Sequence, residues 1–375
     1  MTDCVTVREI GTACGRRFGH LTLNSEATLN ALSLEMIDIL QAQLDKWIDD
    51  EGIVGVVLDG SGDKAFCAGG DVVAVYKAIK AGSAGQVPQL AKDFFEHEYR
   101  LDYRIHTYPK PVLCWGHGIV MGGGIGLIVG SSHRVVTPQT RMAMPEITLG
   151  LYPDVAGSWF LRRMPGHAGL FLALTGAPLN AADARFAGLA DFVLAHEDKT
   201  HVLTGLAEMQ WDDSRTGETT NRVRLTRLLE KFLLRSNLPE SMLRKHFDVI
   251  ESVIGHDSLP DIATRLSALT ENAESWLASA GKTFLKGSPG SAAISYALWQ
   301  RVLHLSLADV LRLEYQVSTA CTAYPDFPEG VRALLVDKDR KPHWQHGSLA
   351  DIEAGFIEAH FQPRFTGPHP LADLC

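Results

Sequence analysis

Two carboxylates, Glu146 and Asp154, stand eight positions apart in the stretch MPEITLGLYPDVAG, with apolar residues, glycines and prolines around them and no basic residue within it. A carboxylate in an apolar setting keeps its proton to higher pH, which suits general acid–base work. The competing structural reading is a helix N-cap, or an ion pair with Arg162 or Arg163. Pro145 and Pro153 restrict the backbone before each acid, and Gly150 and Gly157 mark a turn between and after them. Two glycine-bearing loops offer a complementary chemistry. In DKAFCAGGDVVAVYKAIK the chain turns at Gly69-Gly70 before Asp71 opens a helix; in GHGIVMGGGIGL, Gly122-Gly123-Gly124 precede an apolar helix. Either loop alone also fits an ordinary strand–turn–helix connection. Two loops that each present a backbone N–H are what an oxyanion hole for an acyl carbonyl requires.

Glu98, in AKDFFEHEYRLDYRIH, shares a helical face with Phe94, Phe95, Asp102 and Ile105, so a carboxylate interrupts the apolar stripe. Its structural alternative is a solvated helix edge. Other catalytic signatures are missing: the chain has no G-x-S-x-G elbow, no H-E-x-x-H and no recognisable Cys/His arrangement. The second glycine loop fits neither a dinucleotide fingerprint nor a P-loop. His117 and His133 stand alone and read as structural. No metal and no separate cofactor is expected.

The elements that must position these residues alternate. RFGHLTLN reads as a strand, and LSLEMIDILQAQLDKWIDD as a helix capped by Ser33. GIVGVVLDG, PVLCWGHGIV and HRVVTP read as strands buried on both faces. Alternation of this kind predicts an α/β architecture. No fixed-period repeat is visible in the residues themselves. After about residue 200 amphipathic helical patterns take over, with LKGSPGSAA as an interruption. The division by character is 1–200, 201–280 (a helical insert) and 281–375 (a helical C-terminal region).

With 46% hydrophobic and 21% charged residues, the 375-residue chain has the composition of a soluble globular enzyme. Its formal charge of −9 argues against nucleic acid as a partner. No run of apolar residues is long enough to span a membrane. Six scattered cysteines without CxxC spacing suit a reducing compartment, and residues 1–25 lack signal- or transit-peptide features, so the expected location is cytoplasmic.

Together these stretches resemble the crotonase (enoyl-CoA hydratase/isomerase) superfamily: KAFCAGGD its first oxyanion loop, GHGIVMGGGIGL its second, MPEITLGLYPDVAGSWFLRRMPG its catalytic turn. The resemblance implies a spiral of β-β-α units that clamps the thioester carbonyl of an acyl-CoA with the amides of Gly70 and Gly123. Hydratases of the superfamily carry a second glutamate where this chain has Gly126. The pairing of PE with GLYPDV, the EY of Glu98-Tyr99, LKGSP, and FPEGVRALLVDKDRKPHW are instead similar to the 3-hydroxyisobutyryl-CoA hydrolase family within it. By that resemblance Glu146 attacks the carbonyl or activates water, Asp154 holds the substrate β-hydroxyl and assists proton transfer, and Glu98 adds a polar contact to the acyl group. CoA is then part of the substrate, and a homo-oligomer is a possible assembly. Ala156 and Arg162 depart from that family's pattern, where glycine and proline are usual, and Lys64 is a candidate for the CoA phosphates by position only.

Overall fold

Ser33 ends an extended segment and its hydroxyl accepts the Met36 N–H at 3.2 Å, starting helix α1 (Leu34–Asp49). Met36, Ile37, Leu40, Leu44 and Trp47 form its buried stripe. The strands before it, β1 (Val5–Gly11) and β2 (Arg17–Leu23), form an antiparallel hairpin. After it comes β3 (Ile53–Gly60), buried along its whole length, then β4 (Ala65–Cys67), α2 (Val72–Ala81) and α3 (Gln89–His106). The chain continues through β5 (Val112–Gly116), β6 (Ile119–Met121), α4 (Gly123–Gly130), β7 (His133–Val136) and β8 (Arg141–Ala143) to the short β9 (Phe192–Val193). This computed structural model describes residues 3–213, 218–255 and 257–375.

Six strands form one sheet in the order β1-β2-β3-β5-β7-β9, parallel from β2 onward. Three short strands form a second, β4-β6-β8. The pairs β3–β4, β5–β6 and β7–β8 each place one strand in each sheet, so the repeat is structural although the residues hide it. The fold is α/β, as expected.

PVLCWGHGIV reads as one strand but is two, in different sheets. Gly118 makes the break: its φ is +58°, and a Cβ there would lie 2.2 Å from the Lys64 carbonyl oxygen. Any side chain meets both a left-handed backbone and a fixed main-chain atom. Gly118→Ala is therefore expected to cost about 2 kcal/mol or more, read as a lower denaturant midpoint at unchanged m.

Two compact units interleave along the chain. The first comprises residues 1–70, 101–142 and 179–245; the second comprises 71–100, 143–178 and 246–375. The three-part division by character at 200 and 280 cuts the chain elsewhere. In the first unit, helices Lys199–Glu208 and Glu218–Glu230 pack Val202, Leu206, Leu225 and Leu229 into one core with Phe18 and Val57 of the sheet. Trp211 meets Phe18 edge-on at 4.7 Å between ring centroids. This part of the helical insert thus supplies the buried cover of a sheet face. The second unit is dominated by helices, among them Ser275–Lys286, Pro289–Arg301 and Leu307–Ala323. Among the described residues no helix is long and apolar enough to cross a membrane.

Candidate active site

The glycine loops belong to the first unit and lie against each other. Leu32 N–H donates to the Gly69 carbonyl at 2.8 Å, and Gly70 forms a bridge with Leu32. Gly69, at φ +107°, leaves room for the Met121 carbonyl, which would be 3.2 Å from a Cβ. Gly124 packs so closely on Cys67 that a Cβ would lie 2.6 Å from its carbonyl oxygen. Gly122, at φ +47°, caps α4, and its carbonyl accepts the N–H groups of Ile125 and Gly126. Gly123 is the first residue of α4, and its N–H has no carbonyl of its own helix to reach. Lys64 is exposed in the turn between β3 and β4.

The carboxylates belong to the second unit. Glu146 opens a short 3₁₀ turn, Glu146–Thr148, and its carbonyl accepts the N–H groups of Leu149 at 2.8 Å and Leu151 at 3.1 Å. Two distant segments brace this turn. Ser288, from LKGSP, donates its N–H to the Ile147 carbonyl at 2.9 Å and its hydroxyl to Asp326 Oδ2 at 2.6 Å. Gly330, from FPEGV, lies against Leu149, and Gly150 against the Asp326 carbonyl, each too close to admit a Cβ. These two motifs therefore act by holding Glu146.

Asp154 begins the next bend, where Gly157 N–H donates to its carbonyl at 2.6 Å before helix α5 (Gly157–Leu161). Val155 and Ala156 both have positive φ, +53° and +66°. Tyr99 donates its hydroxyl to Asp154 Oδ2 at 2.6 Å and lies 2.6 Å from Ser318 Oγ. Glu146 and Asp154 are 4% exposed, Glu98 3% and Tyr99 not at all. Glu98 sits on a buried face of α3 with Phe94, Phe95, Asp102 and Ile105, so it is no solvated edge.

Neither structural alternative for the acid pair holds. The cap of α5 is Ala156, and Arg162 and Arg163 stack over Trp299 and Trp159 at 4.3 and 4.0 Å. Among the described residues no basic side chain pairs with Glu146 or Asp154, and Glu146 Oε2 is buried with no hydrogen-bond partner. Burial, then the charge on Asp154, pushes Glu146 well above the ordinary carboxylate range. Burial also raises Asp154, against the lowering effect of the Tyr99 hydroxyl, to about 6. Another buried acid, Glu314, is raised to about 8 by burial and then by Asp154.

These shifts have a consequence for stability. A carboxyl whose pKa is higher folded than unfolded holds its proton more tightly in the native state. Its contribution is then complete below about pH 4 and is lost as pH rises through the folded value. Thermal midpoints of the wild type, relative to Glu146→Gln, are expected to fall as pH rises above the ordinary carboxylate range. Taking the difference cancels the surface groups; a difference that is level or rises would contradict the assignment.

Sequence reasoning missed Tyr152, Glu314 and Ser318, and had Tyr99 only through the resemblance. One signal was present: in LRLEYQVSTACTA, Glu314 and Ser318 are four apart on an otherwise small and apolar helical face.

Residues 18–361 match the enoyl-CoA hydratase/isomerase family. The chain is 36% identical to 3-hydroxyisobutyryl-CoA hydrolase, mitochondrial, of Danio rerio, over 92% of this chain and 86% of that protein. Against the protein of the same name from Homo sapiens, identity is 35% with the same coverage. Among solved structures it is similar to a carnitinyl-CoA dehydratase from Mycobacterium thermoresistibile, with TM-score 0.84, 34% identity and 99% of both chains covered. An enoyl-CoA hydratase from Rhodobacter sphaeroides 2.4.1 superposes with TM-score 0.82 at 32% identity, covering 96% of this chain and 98% of the other.

Proposed function

Because the chain belongs to the enoyl-CoA hydratase/isomerase family, we propose that it is an acyl-CoA thioesterase that releases CoA from 3-hydroxyisobutyryl-CoA. The observation that carries the reading is the pair of buried carboxylates without a cation, Glu146 and Asp154. Glu146, with one oxygen unpartnered, attacks the thioester carbonyl or takes a proton from the water that does. Asp154 accepts the substrate β-hydroxyl and assists proton transfer, and Glu98 adds a polar contact to the acyl group. Backbone N–H groups of Gly70 and Gly123 stabilise the oxyanion, each such donor being worth about 3 kcal/mol. The thiolate leaves, is protonated as free CoA, and water supplies the oxygen of the acid product. No cofactor enters this scheme.

Hydration of an enoyl-CoA is the alternative, and the solved neighbours bear hydratase and dehydratase names. Against it stands Gly126, which has no side chain to move a proton where hydratases of the superfamily carry their second glutamate. The proposal extends to valine breakdown as the source of the substrate and to a possible homo-oligomer. It also places the protein in the cytoplasm; the relatives named above are mitochondrial, and fractionation of the producing cells separates the two. The deciding assay compares free thiol release from 3-hydroxyisobutyryl-CoA with hydration of crotonyl-CoA. Thiol release well above hydration supports the thioesterase; fast hydration without thiol release overturns it.

A further inference from the structure

Glu314 is completely buried on the Leu307–Ala323 helix. Both its carboxylate oxygens are committed: Oε2 accepts the Ala156 N–H at 2.8 Å and Oε1 the Ser158 N–H at 2.9 Å. Those amides lie on the far side of the bend that begins at Asp154. The bend itself is unfavourable, because a β-branched Val155 at φ +53° followed by Ala156 at φ +66° is a conformation such residues seldom adopt. Backbone of this kind persists only where its surroundings fix it, and here the fixing group is one side chain that binds two amides at once.

The same helix also reaches Asp154 from the other side. One turn beyond Glu314, the Ser318 hydroxyl lies 2.6 Å from that of Tyr99 and 2.8 Å from that of Tyr152. Tyr99 gives its proton to Asp154, so it accepts one from Ser318. Tyr152 in turn donates to the Glu314 carbonyl at 2.8 Å. Asp154 is thus held at its backbone through Glu314 and at its carboxylate through Tyr99 and Ser318. Among the described residues, the titratable groups that interact with Glu314 include Asp154, Tyr152 and Tyr99.

We propose that Glu314 is a positioning residue for Asp154: by accepting the amides of Ala156 and Ser158 it keeps the strained bend closed and the Asp154 carboxylate where the reaction needs it. The proposal rests on the thioesterase reading for its kinetic consequence but not for its geometric one. No chemical step is assigned to Glu314, since each of its oxygens binds a backbone amide.

Glu314→Gln keeps the volume but turns an NH2 group toward one of the two amide donors. It is expected to lower kcat about 10²-fold, the scale of an ångström-sized misplacement, with KM within about twofold. The loss should vanish in an Asp154→Asn background, because a residue that acts through Asp154 has nothing left to position. An equal loss in both backgrounds would overturn the proposal, as would a lower melting temperature with unchanged kcat. Should Glu314→Gln fail to fold, Ser158→Pro removes one donor at a first-turn position where proline is tolerated, and is read by the same cycle. A crystal structure of either variant gives the readout independent of turnover. Displacement of Asp154 from its 2.6 Å bond with Tyr99 supports positioning, and an unmoved Asp154 refutes it. If the wild type releases no thiol, the thioesterase reading falls and this structural comparison still decides the role of Glu314.

Discussion

Replacing Glu146 by Gln is expected to slow thiol release about 10³-fold while leaving KM within about twofold. Glutamine fills the same space and preserves the 3₁₀ turn that Ser288 and Gly330 brace, so the fold and the binding surface stay in place. What disappears is an oxygen able to attack a carbonyl or accept a proton. Glu146 Oε2 has no hydrogen-bond partner among the described residues, whereas the oxygens of Glu314 each accept a backbone N–H. Of these two buried acids, Glu146 is therefore the one with an oxygen that no protein donor holds in place. Its raised pKa makes it a stronger base than an ordinary carboxylate. Loss of activity below about tenfold, measured as initial-rate thiol release, would remove Glu146 from the chemistry. Hydroxylamine added during turnover separates the two roles: a hydroxamate at Glu146 marks attack by the side chain, and its absence marks activation of water.

The acid pair was legible because its signal is local. Two carboxylates among prolines and glycines, with no cation in the stretch, predict burial, and both are buried. The same locality made α1 and β3 readable, one from Ser33 and its 3.6-residue stripe, the other from an uninterrupted apolar run. The support of the pair was not legible. Tyr99 meets Asp154 across 55 positions, Ala156 meets Glu314 across 158 and Tyr99 meets Ser318 across 219. No periodicity encodes contacts of that range. The strand repeat was hidden for a different reason: β4, β6 and β8 have three residues each, too few to show alternation. GHGIV therefore read as the continuation of β5, and only the crowding at Gly118 reveals the change of sheet. Glu98 looked ambiguous because one carboxylate on an apolar face is as readily an edge as a core position, and packing alone distinguishes them.

Asp154→Asn is expected to reduce kcat about 10²-fold and to erase a rise in rate centred near pH 6. The ionised form accepts the substrate hydroxyl, so activity should grow as pH passes upward through the pKa of Asp154. Burial raises that pKa, and the Tyr99 hydroxyl is the group that restrains it. Asparagine keeps the shape and can still accept from Tyr99, but it has no ionisation to report. Tyr99→Phe makes the complementary test. Removing the donor leaves the anion less stabilised, so the rise should move to higher pH and should not disappear. Among the described residues, Glu146, Glu314, Tyr152 and Cys321 share this environment; all are acids, and none of them would move the step downward by gaining charge. A kcat profile between about pH 5 and pH 9 for the wild type and both variants separates the outcomes. A step near pH 6 that survives in Asp154→Asn belongs to another group, and a downward shift in Tyr99→Phe means that Asp154 is not the anion this hydroxyl stabilises.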